Sequence, residues 1–256
     1  MRLLVTNDDG VLAPGIAALA RAVLTLGHDV VVAAPHTDMT GFGAALGAFA
    51  SDGSIDVKPV ELDGLEGVPS FMVTGPPALC VMAARLGGFG VAPDFVVSGI
   101  NPGPNTGRAT LHSGTVGAVL TGGNFGVSGL AVSIGVGDEI HWDTAGSLAV
   151  GALEWLIDQP ARTLLNLNVP NVPLDEVKGV RWASLAPFGT VRAQLIDAPG
   201  GGLQMELREH DEKLPDDSDT ALVRDGYAAI TSIVGIRASG AVPVAEHVEA
   251  HLFKVR

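Results

Sequence analysis

Short apolar runs alternate with longer, alanine-rich segments over the first 170 residues of the chain. The short runs are continuously apolar, which is typical of strands in a parallel sheet covered on both faces. The longer segments have the length of helices, and two of them begin at a proline. We expect strands at 3–6, 30–34, 71–74, 95–98, 130–134 and 163–167, and helices at 14–26, 76–86, 115–123 and 144–157. This order predicts an α/β fold, doubly wound and Rossmann-like, with a mostly parallel sheet.

The pattern changes after Pro170, where prolines and the triplet 200–202 of glycines divide the chain into short segments. Segments 203–208 and 227–233 are typical of hairpin strands, and only the last ten residues resemble a helix of ordinary length. We therefore predict an α/β catalytic core at 1–185 and a β-rich extension at 186–256. Exposed strand edges are commonly covered by a partner, so we expect residues 203–232 to contribute to a homodimer or homotetramer.

Composition limits the possible functions. Hydrophobic residues make up 47% of the 256 positions and charged residues 17%, which excludes a chain that is disordered throughout. The formal net charge of −13 would repel a nucleic-acid backbone, so we expect no nucleic acid polymer as a partner. Cys80 is the only cysteine, which excludes an intramolecular disulfide and a cysteine-rich zinc site. We find no signal peptide and no long apolar run, and we expect a cytoplasmic protein that does not associate with membranes.

The loop after the first strand contains the adjacent carboxylates Asp8 and Asp9. Neighbouring carboxylates repel each other, and a hard divalent cation that prefers oxygen ligands offsets this repulsion. The alternative is an Asn/Asp-rich turn that caps the following helix.

The loop after the second strand, residues 35–54, contains Thr40 before Gly41 and also contains Asp38. The Thr40 hydroxyl is able to complete an oxygen-rich coordination shell, or it caps a turn. His36 in the same loop is more simply explained as a solvated side chain.

The loop after strand 95–98 is the richest in polar groups. It contains Asn101 and Asn105 among three glycines, and Ser113, Gly114 and Thr115 then open a helix. The start of a helix binds anions through its free backbone N–H groups and its partial positive charge. It can therefore hold a phosphate without Lys or Arg, although a plain loop with a Ser/Thr cap has the same sequence pattern. Neither the Walker motif nor the G-x-G-x-x-G dinucleotide motif is present.

Several short motifs, in order along the chain, together resemble the SurE family of metal-dependent nucleotidases. They are Asn7-Asp8-Asp9-Gly10, Gly75-Pro76-Pro77-Ala78 with Cys80, Val97-Ser98-Gly99-Ile100-Asn101 with Asn105, Ser113-Gly114-Thr115-Val116-Gly117-Ala118, Leu167-Asn168-Val169-Pro170, and Asp217-Ser218-Asp219 with Gly226-Tyr227. The resemblance implies hydrolysis of nucleoside 5′- and 3′-monophosphates, and sometimes of short polyphosphate, with one Mg²⁺ or Mn²⁺ ion per subunit. It also implies subunits that exchange a C-terminal hairpin.

The resemblance also implies roles for individual residues. Matched by motif position, the metal ligands are Asp8, Asp9, Thr40 and Asn101. Either Asp8 or Asp9 is able to take the proton from an attacking water, and the sequence does not choose between them. The phosphate-binding residues are Asn101, Asn105, Ser113, Gly114 and Thr115.

Three positions depart from the family's pattern. Met39 stands where a basic residue is usual, Leu79 where an aspartate is usual, and His112 where a tyrosine is usual. His112 is a candidate substrate contact, or it replaces the tyrosine structurally. These departures leave two alternatives to a nucleotidase. One is a non-catalytic nucleotide-binding protein, and the other is a hydrolase of another small phosphomonoester or of short polyphosphate.

Overall fold

A computed structural model describes residues 1–47, 52–187, 191–198, 200–209, 213–238, 240 and 244–252. The strands are β1 (Arg2–Thr6), β2 (Asp29–Pro35), β3 (Val57–Pro59), β4 (Ser70–Val73), β5 (Phe95–Pro102), β6 (Ser128–Ile134), β7 (Leu164–Val169), β8 (Val180–Trp182), β9 (Val191–Asp197), β10 (Leu203–Glu209) and β11 (Ala228–Ile233). The α-helices are α1 (Pro14–Leu24), α2 (Pro77–Arg85), α3 (Gly114–Asn124), α4 (Trp142–Ile157), α5 (Asp219–Arg224) and α6 (Val244–Leu252). In these ranges no helix is both long and apolar enough to cross a membrane.

Nine strands form one sheet in the order β3-β4-β2-β1-β5-β6-β7-β11-β8. The pairs from β4 to β7 are parallel, while β3 and β11 run antiparallel to the strands beside them, β4 and β7. Every strand expected in the first 170 residues is present. The predicted α/β fold with a mostly parallel, Rossmann-like sheet is therefore confirmed.

Helices cover both faces of the sheet because successive side chains of a strand point to opposite faces. Leu3 and Val5 of β1 belong to the apolar cluster under α1 and α4, whereas Leu4 belongs to the cluster under α2 and α3. All three side chains are completely buried. This sandwich holds the central strands rigidly, so the loops at their carboxyl ends start from fixed positions.

The region after Pro170 differs from its prediction in one respect. Strands β9 and β10 pair as an antiparallel hairpin outside the main sheet, as expected for 203–208. The expectation of a hairpin strand at 227–233 is wrong, because β11 joins the main sheet between β7 and β8. Part of the predicted extension therefore completes the core sheet, and the division at residue 185 stays a prediction. Helix α6 covers part of the helical segment expected at the chain end, and residues 253–256 lie outside the described residues.

Candidate metal and phosphate site

Asp8 is buried just beyond the carboxyl end of β1, and its side chain contacts the start of α3. Its Oδ2 accepts a hydrogen bond of 3.0 Å from the backbone N–H of Gly114, and its Oδ1 accepts one of 2.5 Å from the Thr115 hydroxyl. Ser113 caps the helix, because its Oγ accepts from the N–H of Val116 at 3.2 Å. The positive end of a helix stabilises a carboxylate at this place. The structure thus brings the first and third predicted loops together.

Glycine is required where the start of α3 contacts Asp8 and the loop after β2. A Cβ atom on Gly114 would lie 2.7 Å from both Cβ and Oδ2 of Asp8. One on Gly117 would lie 2.1 Å from the carbonyl oxygen of Gly43, whose own N–H donates to the carbonyl of His112 at 3.1 Å. Backbone can approach backbone this closely only where no side chain intervenes. The loop after β2 therefore packs directly on the start of α3.

The carboxylate of Asp9 has a raised pKa. Burial, followed by the negative charges of Asp8 and Asp38, raises the pKa of Asp9 from 3.8 to about 7. Its Oδ2 is buried and has no hydrogen-bond partner among the described residues. Burial also raises the pKa of Asp8, although the hydrogen bond from Thr115 opposes this rise. A cation between the two carboxylates would lower the free energy of their ionised forms.

The second loop lies beside these carboxylates. The N–H of Met39 donates to the carbonyl oxygen of Asp8 at 2.8 Å. The backbone N–H and the hydroxyl of Thr40 both donate to Oδ1 of Asp38, at 2.8 and 2.6 Å, which forms a local turn. The hydroxyl proton of Thr40 is therefore engaged, while its oxygen keeps lone pairs for a cation. Its role as a ligand stays a prediction, and Asp38 is the nearest alternative.

Asn101 lies near the end of β5, the strand that pairs with β1. The pairing of β5 with β6 is irregular between Ser98 and Asn101, and the Gly99–Ile100 peptide bond in between is cis. The Asn101 Nδ2 donates to the carbonyl oxygen of Gly103 at 2.6 Å, which leaves the side-chain oxygen available to a cation.

Asn105 is held by two buried asparagines, Asn166 and Asn168, to which the sequence analysis assigned no role. Its N–H donates to Oδ1 of Asn168 at 2.8 Å, and its carbonyl oxygen accepts from Nδ2 of Asn166 and of Asn168 at 2.8 and 3.0 Å. Its own Nδ2 donates to Ser133 at 2.8 Å. The presence of two amide side chains in the otherwise apolar strand β7, where both are completely buried, is the feature that could have pointed to them. Because the Asn105 side chain is engaged, its contact with phosphate stays a prediction.

The donor set restricts the kind of ion. Within the described ranges, no three His, Cys, Asp or Glu side chains gather closely enough to hold a metal ion. A cation here would depend on Asp8 and Asp9 together with neutral oxygens such as that of Asn101. Oxygen ligands of this kind suit Mg²⁺ or Mn²⁺, whereas structural zinc takes four ligands rich in Cys and His. These oxygen donors are compatible with a divalent ion of this kind, and the identity and number of the ions stay a prediction.

Comparison with known proteins decides the family. The family model described as "Survival protein SurE" matches residues 3–189. The chain belongs to the SurE family. A 5′/3′-nucleotidase SurE from Cronobacter sakazakii is 36% identical over 247 residues, which cover 91% of this chain and 90% of that protein. A 5′-nucleotidase SurE from Gemmatimonas aurantiaca is also 36% identical, over 91% of this chain and 92% of its own.

A solved SurE structure has the same fold. The crystal structure of the SurE protein from Aquifex aeolicus superposes with a TM-score of 0.77 and 26% sequence identity, covering 99% of both chains. The similarity extends past residue 189, so the C-terminal region of this chain also has a counterpart in that SurE structure.

The three departures from the SurE pattern lie in different surroundings. Leu79 is buried in α2, and a Cβ atom on Gly75 would lie 2.5 Å from its Cδ2, so it packs in the core. His112 is exposed at the end of the short 3-10 helix Gly107–His112, immediately before Ser113. Met39 is partly buried in the second loop. Among the three, His112 is best placed to meet a bound substrate, and that role stays a prediction.

Proposed function

We propose that this protein hydrolyses nucleoside 5′- and 3′-monophosphates to nucleoside and phosphate, using one Mg²⁺ or Mn²⁺ ion per subunit. The observation that carries the proposal is the contact of the Asp8 carboxylate, adjacent to Asp9, with the start of α3. The names of SurE relatives, 5′/3′-nucleotidase and 5′-nucleotidase, support the choice of substrate. No part of the proposal requires a nucleic acid polymer.

Asp8, Asp9 and Asn101 would hold the ion, with Thr40 as the fourth protein ligand. When bound, a divalent ion orients the phosphate, neutralises developing charge and lowers the pKa of a coordinated water. The unpartnered Oδ2 of Asp9 and the free amide oxygen of Asn101 support this assignment.

The start of α3 would receive the phosphate. A chain with a net charge of −13 needs local positive potential to bind an anion. Ser113, Gly114 and Thr115 are the proposed phosphate-binding residues, and the preceding loop adds Asn101 and Asn105. The Gly114 N–H and the Thr115 hydroxyl donate to Asp8 in this structure, so a phosphate would share these donors with the Asp8 carboxylate.

Asp9 is better suited than Asp8 to accept a proton from an attacking water. Both oxygens of Asp8 already accept hydrogen bonds from α3, whereas Oδ2 of Asp9 accepts none from the described residues. Burial raises the pKa of Asp9 to about 7 in the metal-free protein, and a bound divalent ion would lower it and keep the carboxylate ionised to accept a proton.

Phosphate release from AMP and GMP in the presence of Mn²⁺ tests the activity. We expect release by the wild type and a loss of at least about a hundredfold in Asp9→Asn, which removes a ligand and the proposed base. Asp158→Asn is the matched control, because this exposed aspartate follows α4 at the opposite edge of the sheet. It should hydrolyse both nucleotides like the wild type.

The same assay separates the alternatives. Tight AMP binding without phosphate release would favour a nucleotide-binding protein. Release from other phosphomonoesters or from tripolyphosphate, but from neither nucleotide, would favour a different hydrolase.

A further inference from the structure

Asp219, the first residue of α5, is completely buried and accepts four hydrogen bonds. Its Oδ2 accepts from the N–H of Gly107 at 2.8 Å. Its Oδ1 accepts from the N–H groups of Ala186 and Thr220 at 3.0 and 2.7 Å, and from the Thr220 hydroxyl at 3.3 Å. Burying a carboxylate is costly unless donors satisfy it. Here they come from three separate parts of the chain.

The bond to Gly107 is the first step of a continuous path to the phosphate site. The carbonyl of Gly107 accepts from the Thr110 hydroxyl at 2.9 Å, and the carbonyl of Thr110 accepts from the N–H of Ser113 at 3.2 Å. Ser113 caps α3, whose first turn contacts Asp8. These hydrogen bonds connect Gly107 to the first turn of α3.

A carboxylate suits this position better than an amide. All of its partners are donors, and an aspartate offers two acceptor oxygens without presenting a donor of its own. In Asp219→Asn, the NH₂ group would face either Gly107 N–H or the N–H groups of Ala186 and Thr220. Either orientation loses an acceptor and sets two donors against each other.

We propose that Asp219 is a positioning residue of the phosphate site, which fixes Gly107 and thereby sets where Ser113, Gly114 and Thr115 lie. The nature of the bound anion rests on the proposed function. The proposal makes the phosphate site depend on a residue of the C-terminal region, because Asp219 lies beyond residues 3–189, which the family model matches.

Binding of inorganic phosphate to the Mn²⁺-loaded protein, measured by calorimetry, tests the proposal. We expect Asp219→Asn to weaken phosphate binding about tenfold to a hundredfold, as is usual for groups that orient a binding residue. Leu214→Ala is the matched control, since Leu214 packs with Ala186 and Ala221 in the same small apolar cluster but does not bond Gly107. It should lower the melting temperature while leaving phosphate affinity unchanged. If Asp219 only stabilises the fold, both variants should weaken phosphate binding by the same factor when they lose the same melting temperature. That result would overturn the proposal. An unchanged phosphate affinity in Asp219→Asn would also overturn it.

A second pair of variants tests the path if Asp219→Asn does not fold. Thr110→Val deletes the hydroxyl that bonds Gly107, and Thr110→Ser keeps it. Weaker phosphate binding in the Val variant, with recovery in the Ser variant, supports the path, and equal binding in both overturns it. The readout is phosphate binding, so it stays valid even if the wild type binds phosphate without hydrolysing nucleotides.

Discussion

The Thr115 hydroxyl donates a hydrogen bond of 2.5 Å to Oδ1 of Asp8, although 107 positions separate the two residues in the sequence. The same first turn of α3 supplies the Gly114 N–H to the other oxygen of Asp8. One helix start therefore orients a proposed metal ligand and also supplies the proposed phosphate donors. We therefore expect metal binding and phosphate binding to be coupled through Thr115.

Deleting the Thr115 hydroxyl tests this coupling. Thr115→Val keeps the shape of the side chain and removes the donor to Asp8. We expect the Mn²⁺ titration midpoint to rise by about tenfold or more, because groups that orient a metal ligand commonly have effects of this size. Thr115→Ser retains the hydroxyl and should titrate like the wild type. A Val variant with normal Mn²⁺ binding and weakened phosphate binding would assign Thr115 to the substrate alone.

The pKa of Asp9 predicts how the metal-free protein responds to pH. Its folded-state pKa of about 7 lies above the ordinary value of 3.8, so between these values the folded state holds a proton that the unfolded state has lost. The stability from this group is complete below about pH 4 and is lost as the pH rises through about 7. In EDTA, we therefore expect Asp9→Asn to melt higher than the wild type at pH 8.

The difference between the two melting temperatures should shrink as the pH falls toward 5, and melting curves across this range measure it. Mn²⁺ should raise the melting temperature of the wild type more than that of the variant. A wild type that melts at or above the variant at every pH in EDTA would refute the burial cost assigned to Asp9.

Two substitutions of Thr40 test whether its hydroxyl oxygen binds the metal ion. Thr40→Val deletes the oxygen, and for a neutral ligand we expect Mn²⁺ affinity to fall about ten- to a hundredfold, or roughly 1–3 kcal/mol. Thr40→Ser should be nearly silent. If the Val variant loses stability but titrates normally, Thr40 only caps the turn at Asp38, and Asp38→Asn becomes the variant to titrate.

The β9–β10 hairpin predicts subunit assembly. It forms a separate two-stranded sheet in which Leu195, Leu203 and Met205 are exposed. A two-stranded hairpin alone is marginally stable, so a covering partner would stabilise it. We expect light scattering to report a homodimer or homotetramer, and Met205→Glu to lower the measured mass. Gln204→Glu adds the same charge on the opposite face and should leave the assembly intact, whereas a monomeric wild type at micromolar concentration would exclude this interface.

The sequence was sufficient to predict the sheet and the convergence of its loops. Continuous apolar strands imply parallel pairing, and the carboxyl ends of parallel strands lie at one edge. That rule alone places the loops of Asp8 and Asn101 together. The contact of Asp8 with Gly114 and Thr115 was not predicted, although the attraction between a carboxylate and a helix start explains it.

The sequence was not sufficient for contacts that depend on distant pairing. No local pattern indicates that β11 pairs with β7, because antiparallel pairing across about 60 residues depends on tertiary packing. The motif Asp217-Ser218-Asp219 contains Asp219, but nothing in the local sequence assigns this residue a role at the site. Only its bond to Gly107 connects it to the site. The asparagine pair Asn166 and Asn168 also lay within a recognisable strand, but its partner Asn105 was not predictable from that strand.

Removal and return of the metal ion test the central claim most directly. After exhaustive dialysis against EDTA, the protein should release no phosphate from AMP or GMP. Adding Mn²⁺ or Mg²⁺ should restore release in the wild type and in the Asp158→Asn control, but not in Asp9→Asn. Full phosphate release by the chelated wild-type protein would contradict the account.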